Sequence, residues 1–528
     1  MVTILCIKEN VLTETERLKL FIQHLIYTVI YINTYKYLIE FGVVFLLEEF
    51  KGELVSLIGS EKILDDPKTL EEYSRDHSSQ PPRKPFLVVK AKNAEDVKKV
   101  IQLANKYCVP VVPRSSHVGF YGAAIPEELA VVLDLSGMDK ILDVDERNRW
   151  VRFEPGVTWG KLQEELAKRN LMALIPLLPH PAKSALTSHL EREPPLIPKQ
   201  EYQEPLISLE MVMPTGEIFR TGPAAAPATK LKVHSPFGPG PIEWRKLFMG
   251  AQGTFGVATW VTVKVEYLPK IQKLYFIPFN GLEEVVEATY AIQHRAIGHE
   301  YFILNDLNMA ILASEKWPED FNRLRGVMPR FTVVLCIAGG RRLPEEKIAY
   351  EEEALFEEAS RHGFKPVSTL PNTKALGKRF LNLIRKPWPK DKPYWKFLYK
   401  GMSRDIFFHT TLDKTPRYLK TLFDLAEDYR YPVHDIGVYI QPMELGRVCH
   451  CEFNLYLNPE NAEEVRLVDD LFKEASEKLI SMGAFFSRPY GVWARMVYSR
   501  CAHYHSALRK LKKIFDPNNI MNPGKLNL

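Results

Sequence analysis

Apolar residues recur along this chain in two rhythms, and the switch between them predicts its elements. Short apolar runs bounded by turn residues fall at 86–89, 109–112, 131–135, 141–144 and 150–153, each with the composition of a strand. Between the first two, Asn93 stands before Val97, Val100, Ile101 and Ala104, a spacing of three and four that marks one face of a capped helix. Residues 54–73 read as a helical lead-in, and 159–168 as a further helix. Residues 206–213 and 217–220 flank Pro214-Thr215-Gly216 and predict a hairpin, and 258–267 alternates as a strand.

Beyond Pro269 the rhythm changes to strands alternating with long amphipathic helices. One round is strand 274–279, helix 282–295, strand 331–336 and helix 345–362. A second is strand 405–410, helix 415–429, strands 436–441 and 449–457, and helix 462–482. Two such rounds predict one broad antiparallel or mixed sheet covered by helices, a separate α/β domain. A last helix, 506–515, runs into the polar tail "DPNNIMNPGKL". The fold class expected from this order is α+β.

Size and charge narrow the picture. At 528 residues the chain exceeds one core and suits two or three domains. Its net charge of +5 is a small difference between 70 basic and 65 acidic residues. No block of one sign and no interleaving of aromatic with basic residues accompanies it, so no nucleic-acid partner is expected. The six cysteines (Cys6, Cys108, Cys336, Cys449, Cys451 and Cys501) are scattered, which suits a reducing, cytoplasmic setting. None forms a Cys-x-x-Cys pair, so no iron–sulfur cluster is expected in the chain.

Residues 20–35 carry no formal charge, yet Gln23, His24 and Asn33 interrupt them. They fall short of the roughly 20 clean apolar residues of a spanning helix, and no signal-type cleavage site follows. The expectation is an extension over 1–47 that is not native to the mature protein. A buried or partner-facing helix and a peripheral membrane anchor are the alternatives.

Candidate chemistry begins in "PRSSHVGFYGAAIP", residues 113–126, a loop of small residues joining two strands. With Gly119 and Gly122 among Ser115, Ser116, Ala123 and Ala124, its backbone N–H groups can meet a pyrophosphate without an intervening Cβ. The alternative is a tight crossing between strands. "FMGAQGTFGV" repeats the device with Gly250, Gly253 and Gly256, and "KIFDPNNIMNPGKL" adds an Asp-Pro turn and Asn522-Pro523-Gly524. No strand-glycine-helix fingerprint for a nicotinamide dinucleotide occurs.

These segments, with "VVLDLSGMDKILDVDERNRWVRFEPGVTWGKL" and "SLEMVMPTGEIFRTG" in order between them, resemble the FAD-linked oxidases of the vanillyl-alcohol oxidase and p-cresol methylhydroxylase superfamily. D-lactate dehydrogenases and the glycolate oxidase flavin subunit belong to it. The resemblance covers most of 83–528. It implies a two-subdomain FAD-binding domain over 48–268, an α/β cap over 269–486 that holds the substrate, and a return to the first domain over 487–528.

It also implies that Pro113, Arg114, Ser115, Ser116, His117, Val118, Gly119, Gly122 and Ala123 cradle the FAD diphosphate. Gly250, Gly253, Thr254, Gly256, Val257 and Asn522 are expected to close on the cofactor. The middle segment "SALTSHLEREPP" lacks the family's glycines but offers Ser184, Thr187 and Ser188. Relatives commonly carry three glycines where this chain has Ser115, Ser116 and His117, and a glutamate where it has Gln252. Members that tether FAD through a loop histidine carry it at the place of Val118, so non-covalent FAD is expected here.

For the substrate side, a strand over 449–457 points His450 and Glu452 to one face, with the flanking cysteines on the other. His450 can serve as the base that a hydroxyl oxidation needs, with a satisfied core histidine as the alternative. In "FFSRPYGVWARMVY" the family's phenol-binding tyrosine is Ser487, which leaves Arg488 suited to a carboxylate. Tyr490 and Arg495 are reserves, and packing is the alternative for all three. His503 and His505 lie two apart on a predicted helix, so they share no face and no metal site is assigned.

The expected function is therefore FAD-dependent oxidation of a small 2-hydroxy acid such as D-lactate or glycolate. Electrons would pass to oxygen, a quinone or a partner such as an iron–sulfur subunit or electron-transferring flavoprotein. Oxidation of a phenolic or other alcohol, and a flavin-binding or flavin-less subunit of a larger assembly, are the alternatives.

Overall fold

The computed structural model describes residues 45–198, 205–229, 232, 235, 237–373 and 375–528. By internal contacts the chain divides after Ser60. The described part of the first unit is a helix over 45–58, and the stretch 20–35 lies outside the described residues. The second unit carries three sheets.

The predicted lead-in over 54–73 is not one helix. Gly59 adopts a left-handed backbone (φ 91°), and a new helix, Pro67–Tyr73, starts behind Asp66. The Asp66 carboxylate accepts the Thr69 N–H, and Pro67 fills the first helical position. Apolar spacing runs on across this break, whereas the Gly and the Asp-Pro step mark it.

The first sheet runs in the order Ile63–Leu64, Leu87–Lys90, Val131–Asp134, Val111–Arg114. Its last three strands are parallel, and the helix Ala94–Tyr107 makes one crossover, capped by Asn93 as predicted. The other crossover is the small-residue loop itself, which has room to return the chain in parallel without a helix. The second sheet orders Ile141–Asp145, Trp150–Phe153, Val257–Tyr267, Leu206–Val212 and Ile218–Arg220, with Leu171–Ala173 paired to the far end of the long strand. The predicted hairpin is present there.

The third sheet is antiparallel throughout, in the order Ile271–Phe279, Phe331–Gly339, Glu300–Asn305, Ile436–Met443, Val448–Leu457, Met402–Thr410. Alternation along its strands divides two cores. On one face the helices Leu282–His294, Pro344–His362, Thr415–Asp428 and Ala462–Ser481 pack against Ile303, Val438, Cys449, Cys451 and Phe453. On the other, Asp306–Ala313, Leu376–Leu383 and Trp395–Leu398 pack against Phe302, Leu304, Tyr439 and Tyr456. Among the described residues no helix is long and apolar enough to cross a membrane, and the five described cysteines are free thiols.

Candidate functional site

Three segments far apart in the sequence converge on one cleft. The loop after Val111–Arg114 supplies Ser115, Val118, Phe120 and Tyr121, the helix Ala185–Leu190 supplies Thr187, and Gly250–Gly256 supplies a third wall. The cleft encloses about 1050 Å³ of empty space, its open mouth included. None of the backbone N–H groups of residues 116–121 donates to another group among the described residues. A row of free donors beside a cleft is what an anionic diphosphate requires.

Several predicted cofactor residues line this cleft: Pro113, Arg114, Ser115, Ser116, Val118, Gly119, Ala123, Thr187, Gly250, Gly253 and Gly256. Others do not, for identifiable reasons. His117 turns toward Tyr73, whose Oη lies 3.2 Å from its Nε2. Ser184 caps a helix by accepting the Thr187 N–H, and Ser188 accepts the Trp159 indole N–H. Thr254 donates to the Ala251 carbonyl, and Val257 is a buried strand residue. Gly122 donates its N–H to Asp76 at 3.1 Å, so it is not available to a diphosphate.

The glycines answer to protein rather than to ligand. A Cβ on Gly253 (φ 75°) would meet Pro113 Cγ at 2.6 Å, and one on Gly122 (φ 73°) would meet Gln80 Cγ at 2.4 Å. They permit the loops to cross closely. Asn522 completes that crossing from the C-terminal turn without lining the cleft, through its donors to the carbonyls of Ala123 and Gln252. Arg114 likewise braces the loop by donating to the carbonyls of Tyr73 and Arg75.

Phe120 and Tyr121 also wall a second cavity, which lies against the third sheet. His450, Glu452 and Tyr439 from that sheet line it together with Lys396, Lys183, Glu193 and Arg488. His450 is 1% exposed, and its Nε2 lies 3.3 Å from Glu452 Oε2. Its Nδ1 is buried with no partner. The other Glu452 oxygen accepts from Lys396 Nζ at 2.6 Å and Asn454 Nδ2 at 2.8 Å.

Arg488 is 3% exposed and lies against the face of Phe407 at 4.2 Å. Its Nε has no partner, and no carboxylate forms a salt bridge with it among the described residues. Tyr490 instead lines the first cleft, stacked on Tyr121 at 4.8 Å, and its hydroxyl is also unpartnered.

The sequence matches the FAD binding domain family over residues 85–222 and the C-terminal domain of FAD linked oxidases over 413–526. The chain is an FAD-linked oxidoreductase. It is 22% identical over 492 residues to the glycolate oxidase subunit GlcD of Bacillus subtilis (strain 168), covering 91% of this chain and 97% of the relative. It is also 22% identical over 494 residues to D-2-hydroxyglutarate dehydrogenase of Stutzerimonas stutzeri (strain A1501), covering 90% and 98%. Among solved structures, p-cresol methylhydroxylase with substrate bound superposes with a TM-score of 0.79 at 18% identity, over 92% of this chain and 97% of the other. The oxidoreductase therefore has the p-cresol methylhydroxylase fold, with the 113–124 and 186–191 walls of the cleft inside the matched FAD binding domain, its Gly250–Gly256 wall outside that match, and His450 and Arg488 inside the matched C-terminal domain.

Burial sets the protonation states around the second cavity of this oxidoreductase. Burial pushes the His450 pKa below its ordinary value, outweighing Glu452, so the ring is neutral at pH 7. Burial would raise Glu452, but the Lys396 ammonium and then His450 hold its carboxyl well below the usual range. Lys396 itself is pulled up by Asp405 and Glu452 against its burial. The Lys396–Asp405 part of this network, and Phe120 and Tyr121 as a shared wall, are absent from the sequence reading. Phe120 and Tyr121 lie within the quoted loop, where their size among small residues was the available signal.

Proposed function

We propose that this oxidoreductase oxidises a small 2-hydroxy acid of the D-lactate or glycolate kind. One observation carries the reading: a single cavity is lined both by His450, whose buried Nδ1 has no hydrogen-bond partner, and by Arg488, a buried guanidinium that forms no salt bridge among the described residues. Bound FAD supplies a hydride acceptor at its N5. Glu452 accepts the Nε2–H of His450, which leaves the Nδ1 lone pair to take the proton of the substrate hydroxyl. Arg488 grips the substrate carboxylate through parallel N–H groups, a direct ion pair that the more distant Glu193 and Glu191 do not make with it. Phe120 and Tyr121 hold the substrate at the edge of the cofactor cleft.

FAD is held without a covalent tether in this reading, because His117 faces Tyr73 and Val118 offers the cleft no nucleophile. Electrons leave to a separate acceptor such as an iron–sulfur subunit, an electron-transferring flavoprotein, a quinone or oxygen. The division of the chain at 268 and 486 into cofactor, substrate and returning segments belongs to the same proposal, as does a cytoplasmic setting in keeping with the free thiols. A phenolic substrate is the second reading, supported by the unpartnered Tyr490 hydroxyl near Arg488.

Anaerobic titration of the yellow protein tests both. Loss of the visible flavin absorbance on adding D-lactate or glycolate, with none on adding a 4-alkylphenol, is the expected result. Bleaching by the phenol alone moves the assignment to the second reading, and no bleaching by either refutes both.

A further inference from the structure

Behind the His450–Glu452 pair lies a buried polar network that this mechanism does not yet use. Lys396, on the short helix Trp395–Leu398, places its ammonium between Asp405 and Glu452. Asn454 donates to both carboxylates, at 2.7 Å to Asp405 and 2.8 Å to Glu452. The Asn454 carbonyl in turn accepts from Asn308 at 2.8 Å, and Asn308 accepts the Tyr456 hydroxyl at 2.9 Å. Lys396, Asp405, Asn454 and Glu452 are all at most 9% exposed. A network so enclosed holds its members in one arrangement, and losing one donor leaves the others buried and unpaired.

The geometry points to Lys396 as a positioning residue for His450, one that acts through Glu452 to fix the ring's tautomer and the charge it can take up; this rests on His450 being the base. Two donors occupy Glu452 Oε1 and leave Oε2 alone for the imidazole Nε2–H, so the lone pair is confined to Nδ1. The charge count favours the same event. One ammonium against two carboxylates leaves the network itself one net negative charge on the Glu452 side of the neutral ring, with the Arg488 cation acting on the ring in the opposite sense. When the substrate O–H bond breaks and its proton forms an N–H bond at Nδ1, the imidazolium cancels that charge. The other ionisable groups around His450 are His409 and Tyr439 on the neighbouring strands and Arg488, Glu193, Lys183, His180, Tyr394 and Tyr121 on the cavity wall. None of them touches Glu452 Oε1 among the described residues.

Without Lys396, two carboxylates share a dry site and one must take a proton. A protonated Glu452 no longer demands the Nε2–H, so the tautomer is released. The test follows the imidazole nitrogens by 15N NMR in FAD-loaded protein labelled at histidine, with His450 assigned by the loss of its signals in His450→Gln. Flavin content and the anaerobic pH profile of flavin reduction are measured in parallel.

In Lys396→Met we expect the Nε2–H pattern of His450 to be lost, flavin to be retained, and flavin reduction to slow at least tenfold with a displaced acid limb. Lys396→Met/Asp405→Asn restores the single net negative charge and is expected to recover the tautomer and most of the rate, as is Lys396→Arg. A purely structural lysine would leave the double variant no better than the single. An unchanged His450 spectrum in Lys396→Met, or a double variant without recovery, overturns the proposal. If the spectra change as expected while no 2-hydroxy acid bleaches the wild-type flavin, the substrate reading fails and the Lys396 assignment stands. If Lys396→Met does not fold, the double and arginine variants decide by whether they keep the wild-type His450 spectrum.

Discussion

Asn522 Nδ2 donates to the backbone carbonyl of Gln252 at 2.7 Å across 270 positions of sequence. The same amide nitrogen reaches the carbonyl of Ala123 at 2.9 Å, so one side chain ties the C-terminal turn to both glycine-bearing loops. Asn522 is 1% exposed. Asn522→Ala removes both bonds and leaves two carbonyls short of a donor, a loss of about 1–3 kcal/mol. A lower melting temperature and weaker FAD retention are expected, read by thermal denaturation with release of flavin fluorescence. Melting and retention equal to wild type would refute the bracing role.

Arg488 forms no salt bridge among the described residues, with Glu193 and Glu191 acting on it only at longer range, so its variants report on a carboxylate that arrives from outside. Arg488→Lys keeps the charge but cannot present the parallel N–H pair. Loss of a charged hydrogen bond of about 1.5–3 kcal/mol corresponds to a KM for the 2-hydroxy acid raised roughly 10- to 150-fold, and Arg488→Met should be worse. Steady-state kinetics over a range of substrate concentrations checks it, and an unchanged KM in both variants would remove Arg488 from substrate binding.

His450→Gln keeps a polar side chain but no base. Flavin reduction should slow by roughly 10² to 10⁴ while flavin content stays near wild type. In the wild type, burial lowers the His450 pKa from its ordinary 6.5, so the base stays neutral through the physiological range. The rate should therefore be flat from neutral pH down past 6.5 and fall only on the acid side of that value. Stopped-flow reduction across pH measures this, and an acid limb above 6.5 would contradict the burial argument.

His189 gives a separate handle on stability. It is packed against Trp159 with its Nε2 unpartnered, and burial lowers its pKa to about 4. The unfolded chain takes this proton near 6.5, before the folded chain does. Its contribution is thus fully present above pH 6.5 and is lost as pH falls toward 4, by up to about 3 kcal/mol. His189→Leu should flatten the acid side of the stability curve and leave neutral-pH stability unchanged or higher. Urea melts at pH 7 and pH 4.5 compare the two, and equal acid losses in both proteins would exclude His189 as a contributor.

How far the sequence discloses this structure depends on whether an element has a surface. Helices with one buried face announce their period, which is why Ala94–Tyr107 and Thr415–Asp428 read directly. Glu300–Asn305 and Asp306–Ala313 are buried all round, so no alternation or amphipathic stripe marks them, and both are missing from the sequence reading. At the site, the His450–Glu452 pair follows from the two-residue period of one strand. Lys396 meets Glu452 over 56 positions through a short helix, and no local pattern encodes that meeting. The glycines signalled close approach correctly, but what approaches at Gly253 is Pro113.

Phe120 and Tyr121 stand between the two cavities and line both of them. A partition with a room on each side cannot be rebuilt for one room only. Substitutions in the 113–126 loop will redraw which molecules this oxidoreductase accepts, so a directed search for altered selectivity should begin in its N-terminal third rather than only in the C-terminal sheet.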